Sequence, residues 1–248
     1  MTASLVQNLS AWASAGIGAL FAVSVGVSHR QLCALISFAA GALLATTVFH
    51  IVPEASAEIP LIAVLSALAS GYLLFYFVSR YFFHVCPACA ASHFEERAVS
   101  SFQSIAVVLL VAFGIHCAMD GIAIALGREM TTRVDRSIFF TVTVHKLPEG
   151  LALCALLRKA GFHRLKALWT TLVLELMTPA GWLAGFFLLS GFPMGAWFYL
   201  ALVHVGGGFV YLALHAVLNE TREHRPSYVV LFFLVGVAAV ALADLIPS

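Results

Sequence analysis

The sequence predicts an all-α integral membrane protein with eight transmembrane helices. Three observations carry that expectation. Of 248 residues, 62% are hydrophobic and only 10% are charged, against about 25% charged in an ordinary soluble domain. Mean hydropathy is +0.99. The apolar residues fall in stretches close to the roughly 20 residues that one helix needs to cross a bilayer, and short Pro, Gly and charged segments separate them.

In chain order the predicted spans cover residues 11–28, 32–52, 59–79, 101–127, 138–157, 167–190, 196–218 and 228–247. They leave no room for a soluble domain, so residues 1–248 read as a single transmembrane domain. The first stretch has no basic segment ahead of its apolar run, and it reads as a span rather than a cleaved signal peptide. Net charge is +1, which argues against nucleic acid as a partner. No phosphate-binding glycine loop occurs, so ATP is not the expected energy source. The cysteines (Cys33, Cys86, Cys89, Cys117 and Cys154) are odd in number and scattered, unlike a disulfide framework.

Lysine and arginine set the expected orientation. With the N-terminus outside, the inner loops hold Arg30, Arg80, Arg97, Arg158, Lys159, Arg164, Lys166, Arg222 and Arg225. The outer loops then hold Arg128, Arg133 and Arg136. Both termini are therefore expected outside. The loop between spans 2 and 3 carries the acids Glu54 and Glu58, in keeping with the outer side.

Spans 4 and 5 carry the chemistry. His116 precedes Asp120 by four residues, and His145 precedes Glu149 by four. That spacing puts both members of a pair on one helix face. Two such helices face to face present two imidazoles and two carboxylates, the donors that a divalent transition metal takes. Ionisable groups in hydrocarbon are costly and mark function by default. Without a cation these carboxylates would be stranded charges. The competing readings are a protonated relay and hydrogen-bonded packing. Pro148, between His145 and Glu149, is expected to kink its helix and free the Val144 carbonyl near the site. Gly121 and Gly150 follow the two carboxylates and allow close helix approach.

Spans 2 and 7 share a faint pattern. Gly41 and His50 are separated by eight residues, as are Gly206 and His215, and Glu54 and Glu220 follow. If spans 1–3 and 6–8 are copies, their odd number inverts the second, an arrangement typical of transporters.

These residues resemble the ZIP (Zrt/Irt-like) metal transporters. The stretch from His116 to Gly121 is similar to that family's His-Asn-x-x-Asp/Glu-Gly in helix 4. The stretch from His145 to Gly150 is similar to the His-x-x-Pro-Glu-Gly of its bacterial-type branch, and Phe49-His50 through Pro53-Glu54 resembles the end of its helix 2. The resemblance implies a 3+2+3 arrangement of helices and a homodimer. It implies passage of Zn²⁺ or a related ion (Cd²⁺, Fe²⁺, Mn²⁺) toward the cytoplasm by alternating access across the cell membrane. One helix group carries the site past another that serves as dimer scaffold. The family's first metal position maps onto His116, Asp120, His145 and Glu149.

The second, bridged position is altered in this chain. Its Asn is Cys117, an acid found in some members is Lys146, and the Glu before Pro179 is Thr178, with Glu175 one turn earlier. A single metal is expected, with the Lys146 ammonium in place of a second; a purely structural ion pair of Lys146 with Asp120, Glu149 or Glu175 is the alternative. Cys117 points about 100° away from His116 on a helix and reads either as a soft donor at the mouth of the site or as a small buried hydrophobe. His50, His204 and His215 are candidates for the transport path, with polar packing as the alternative for the last two.

Residues 80–100 read as a cytoplasmic loop. His84, Cys86, Cys89 and His93 there can supply four zinc ligands. A redox role and an inert loop are the competitors. For the whole chain the leading expectation is a zinc transporter and not an enzyme. An intramembrane zinc hydrolase using Glu149 or Asp120 as base, and a metal sensor without flux, are the other classes; no His-Glu-x-x-His pair supports the hydrolase.

Overall fold

The structure is a computed structural model, and it describes residues 2–25, 28–81, 102–189 and 195–243. The regular structure of the described residues is helical. In order come α1 (Thr2–Ser24), α2 (His29–Thr46), a π-turn (Thr47–Ile51), α3 (Val52–Glu58), α4 (Leu61–Tyr81), α5 (Phe102–Arg128), α6 (Thr132–Lys159), α7 (Arg164–Glu175), α8 (Met177–Leu189), α9 (Ala196–Glu223) and α10 (Pro226–Ala243). Among the described residues, six stretches are long and apolar enough to cross a membrane: Leu5–Ser24, His29–Glu58, Leu61–Tyr81, Thr132–Arg158, Arg164–Leu188 and Ala196–Glu223. Pro226–Leu242 is a shorter apolar helix. His84, Cys86, Cys89 and His93 lie outside the described residues.

Two helices begin earlier than their apolar patterns predict, at Thr2 rather than residue 11 and at Thr132 rather than residue 138. The early turns carry polar residues that pair across the bundle. Gln7 Nε2 donates to Asp135 Oδ1 at 3.2 Å, Asn8 is fully buried, and Arg128 Nη1 stands 2.8 Å from Asp135 Oδ2. A hydropathy pattern reads such turns as loop, whereas their partners let them continue as helix.

Proline shapes two other spans. Pro179 has no N–H to give the Glu175 carbonyl, and the helix breaks at Leu176, between α7 and α8. Pro53 likewise gives nothing to the Phe49 carbonyl, and the chain widens into the π-turn that holds His50. Pro148 behaves differently. It lies inside α6, which continues helically to Lys159.

Close crossings between helices organise the bundle, and four of them rest on reciprocal glycines. A Cβ on Gly18 of α1 would collide with the Leu147 carbonyl of α6, and one on Gly150 of α6 with the Ala15 carbonyl of α1. The same reciprocity joins α5 to α8 through Gly121 and Gly181, α2 to α10 through Gly41 and Gly236, and α4 to α9 through Gly71 and Gly207. Small residues at such points let backbones approach closely where lipid offers no hydrophobic drive between helices. With the added packing of α7 on α1 and α6, and of α9 on α2, the helices fall into two groups. One holds α1, α5, α6, α7 and α8; the other holds α2, α3, α4, α9 and α10.

The groups meet along α2–α6 and α9–α5. At the end bearing Glu54 they are joined by polar contacts. Thr46 Oγ1 lies 2.9 Å from Ser137 Oγ and 2.6 Å from Thr141 Oγ1, and Thr131 Oγ1 donates to Glu54 Oε2 at 3.2 Å. Toward the other end, where α2 begins and α9 finishes, a cavity of about 50 Å³ separates them.

Candidate metal centre

The centre is built on facing turns of α5 and α6. The i, i+4 spacing acts as expected: His116 and Asp120 share one face of α5, and His145 and Glu149 share one face of α6. All four side chains are buried, and one donor atom from each lies within 4.8 Å of the others. His116 Nε2 is 3.6 Å from Asp120 Oδ2 and 3.5 Å from Glu149 Oε1. His145 Nε2 is 3.4 Å from Asp120 Oδ2 and 3.5 Å from Glu149 Oε2. Zinc bonded tetrahedrally at about 2.0–2.1 Å holds neighbouring donors about 3.4 Å apart, so these spacings suit a small transition metal.

Orientation comes from one turn below. His145 Nδ1 lies 3.0 Å from the Thr141 carbonyl. A carbonyl only accepts, so Nδ1 carries the proton and Nε2 presents its lone pair to the centre. Sequence reasoning did not single out this backbone contact. Its signal is positional, because any helical residue four before the histidine offers such a carbonyl. His116 Nδ1 is buried without a hydrogen bond among the described residues.

Beside the four donors stands Lys146, which is fully buried. Its Nζ lies 2.8 Å from Asp120 Oδ2, 3.0 Å from Glu149 Oε2 and 3.1 Å from Glu175 Oε2, and it donates to Cys117 Sγ at 3.2 Å. Phe113 places its ring 5.9 Å from the same ammonium. All three acids considered for an ion pair with Lys146 are thus engaged at once. Cys117 also belongs here, with Sγ 3.6 Å from both Glu149 Oε1 and Glu175 Oε2. The neighbour of His116 faces the lysine because Lys146 from α6 and Glu175 from α7 cover that side of α5. Glu175 reaches it from the last turn before the break that Pro179 causes. Thr178 is fully buried one turn further on, and its carbonyl packs against Gly121.

The three carboxylates and one ammonium carry a formal charge of −2, which one divalent cation neutralises. Asp120 and Glu149 face both the lysine and the histidines, so the two halves of the centre share their oxygens.

The remaining candidate histidines sit elsewhere. His50 is buried in the π-turn. His204 Nδ1 lies 2.8 Å from Ser70 Oγ, between α9 and α4. His215 stacks on Tyr211 with ring centroids 5.4 Å apart. None of the three is among the four clustered donors. The wall of the cavity opposite His116, His145 and Glu149 is apolar, from Ile36, Ala40 and Leu43 of α2 and Leu212 and Ala216 of α9.

Long apolar helices around a buried imidazole and carboxylate centre define an integral membrane protein with a transition-metal donor set in its interior. The model of the ZIP Zinc transporter family matches residues 88–244, and the chain belongs to that family. Members of this family are transporters rather than enzymes. Zinc transporter ZIP13 of Pongo abelii is 26% identical over 237 residues, covering 86% of this chain and 65% of that protein. Zinc transporter zipt-7.2 of Caenorhabditis elegans is 30% identical over 133 residues, 52% of this chain and 28% of that protein. The chain therefore spans less than two thirds of the length of these relatives.

Proposed function

We propose that the protein carries a divalent transition metal, zinc first, toward the cytoplasm by alternating access, one ion at a time. His116, Asp120, His145 and Glu149 hold the ion. The observation that carries this reading is the set of four imidazole-to-carboxylate spacings between 3.4 and 3.6 Å in a buried centre.

Several features support the finer points. All four donors, with Lys146 and Glu175, stand on one helix group, and the facing wall from the other group is apolar. A group that keeps its ligands while sliding along such a wall need not break coordination to change its exposure. The glycine pairs lie within groups rather than across their boundary, which suits two bodies moving past each other. Counting α2–α3 and α7–α8 as one broken span each, with α5 and α10, gives the eight spans of a 3+2+3 arrangement. Exchanging spans 1–3 with 6–8, and 4 with 5, converts each glycine-paired crossing into another of the set. That supports an inverted repeat.

Lys146 supports single occupancy. Its Nζ touches Cys117, Glu149 and Glu175, which themselves form a metal-like cluster. An ammonium among them repels a second cation. The lysine and arginine distribution supports both termini outside, so the cavity beside the site would open inward. The resemblance supports a homodimer in the cell membrane, His50 near the entry, and His84, Cys86, Cys89 and His93 as acceptors in the cytoplasmic loop.

The test is zinc entry into proteoliposomes that hold a zinc dye, comparing the native chain with His145→Ala/Glu149→Ala. Entry with the native chain alone is expected. Equal entry with both would remove the centre from the route, and no entry with either would remove transport.

A further inference from the structure

A second set of soft and hard donors lies beyond the cavity. Cys33 of α2, Glu220 of α9 and His224, the residue that ends α9, each bring one donor atom within 4.8 Å of the others. Cys33 and Glu220 are fully buried, and His224 is 15% exposed. Among the described residues, the Cys33 thiol and the His224 ring both face Glu220, and neither of its oxygens takes a well-aligned hydrogen bond. His224 Nδ1 stands 3.2 Å from Glu220 Oε2 without forming one. Behind it, His224 Nε2 is 3.0 Å from His29 Nδ1, and the two rings stack with centroids 4.7 Å apart.

A fully buried carboxylate facing an imidazole nitrogen calls for positive charge, supplied either by protonation of His224 or by a metal between the two. If His224 donates from Nε2 to His29, its Nδ1 lone pair faces the carboxylate, and a metal satisfies both. His29 then acts as the outer partner that fixes the tautomer of a ligand.

We propose that Cys33, Glu220 and His224 form a second metal site, for a thiophilic divalent ion such as Zn²⁺ or Cd²⁺. Three protein donors leave a fourth position open to water or to an incoming ligand. The thiol binds as thiolate and gives up its proton when the metal enters. Sulfur selects for zinc and cadmium over manganese and magnesium.

Its place in the fold suggests what the site is for. Ile36 lines the cavity beside the centre, and Cys33 is one turn before it on α2. Ala216 lines the same cavity, and Glu220 is one turn after it on α9. From Leu212 to Glu220 the rise is about 12 Å. Beyond lies an open basin of about 480 Å³ edged by Arg30, Glu223, His224 and Arg225. The site therefore stands between the central cavity and water, as the next station for an ion leaving His116, Asp120, His145 and Glu149. That assignment to the route rests on the transport proposed above; the binding itself does not.

The test uses the full chain with Cys86→Ser, Cys89→Ser and Cys117→Ala, which leaves Cys33 and Cys154 as thiols. Cadmium titration in detergent is expected to give an ultraviolet thiolate-to-cadmium band whose final amplitude corresponds to one thiolate-bound cadmium per chain, reached once this site and the central donors are both filled. Adding Cys33→Ser should abolish the band. Adding Glu220→Gln or His224→Ala should weaken binding at least tenfold, and His224→Ala, at a partly exposed helix end, guards against a folding defect. Adding Glu149→Ala should leave the band intact. No band, a band that survives Cys33→Ser, unchanged affinity in His224→Ala, or loss with Glu149→Ala would each overturn the site. A native chain that moves no zinc in proteoliposomes, while the band persists in the cysteine-depleted chain, would refute the station on the route and the transport reading while the metal site stands.

Discussion

Lys146 Nζ lies 2.8 Å from Asp120 Oδ2, and that same oxygen is 3.4 Å from His145 Nε2. The tethered ammonium and an arriving metal therefore draw on one carboxylate. Turning this cation into an anion should open the second half of the centre. Lys146→Asp is expected to raise zinc stoichiometry from one to two per chain at the centre, measured by titration calorimetry with Cys33→Ser, Cys86→Ser and Cys89→Ser in the background so that the centre alone is counted. A stoichiometry that stays at one would remove Lys146 from the role of second cation.

Removing the charge without replacing it tests stability instead. Lys146→Met leaves Asp120, Glu149 and Glu175 buried without their shared cation. Breaking a buried ion pair costs about 3–5 kcal/mol. The metal-free variant should melt well below the native chain in detergent, and saturating zinc should recover part of the loss, because a ligand bound by the folded state stabilises it. A metal-free melting point equal to the native one would contradict the ion-pair geometry.

The crossing of α5 on α8 makes a contrast between two glycines of one helix. A Cβ at Gly121 meets the Thr178 carbonyl, whereas one at Gly114 meets only Met177 Cγ at 3.7 Å and Leu174 Cδ2 at 3.9 Å. Gly121→Ala should destabilise by about 1–3 kcal/mol, the usual cost of overpacking. Gly114→Ala should be close to neutral. Thermal melts of both variants decide the matter, and equal melting would argue against the close crossing.

If the two helix groups slide, then joining them should stop transport. Thr46 Oγ1 and Ser137 Oγ lie 2.9 Å apart across the boundary. Thr46→Cys/Ser137→Cys is expected to cross-link under oxidant and lose zinc uptake, with recovery on reduction. Uptake that persists in fully cross-linked protein would sink the sliding motion at this boundary.

Much of the centre is legible in the sequence because its four ligands come from two local i, i+4 pairs. Glu175 is legible as an acid near a helix-breaking proline. Cys117 is harder. Its direction from His116 is readable, but which helices cover that face is not, and only the packing of α6 and α7 puts the lysine there. Cys33, Glu220 and His224 illustrate the limit. Glu220 and His224 do show the four-residue spacing, but Cys33 comes from a helix near the other end of the chain. Nothing local records that α2 and α9 meet. The early turns of α1 and α6 fail for another reason. Their polar residues are paired inside the bundle, and hydropathy does not see partners. Which glycine meets which carbonyl is likewise a property of the crossings rather than of the string.

The reciprocal glycines also have a consequence for synthesis. Neither group of helices is contiguous in sequence. The groove at Gly18 waits for Gly150, and the groove at Gly41 waits for Gly236. At about 5–20 residues per second of translation, α2 spends on the order of 10–40 s in the membrane before α10 exists to cover it. During that interval its backbone lies against lipid or against a borrowed neighbour. α10 thus seals a seam that α2 opened long before it, so a nascent chain halted before α10 is left with an unclosed face at α2.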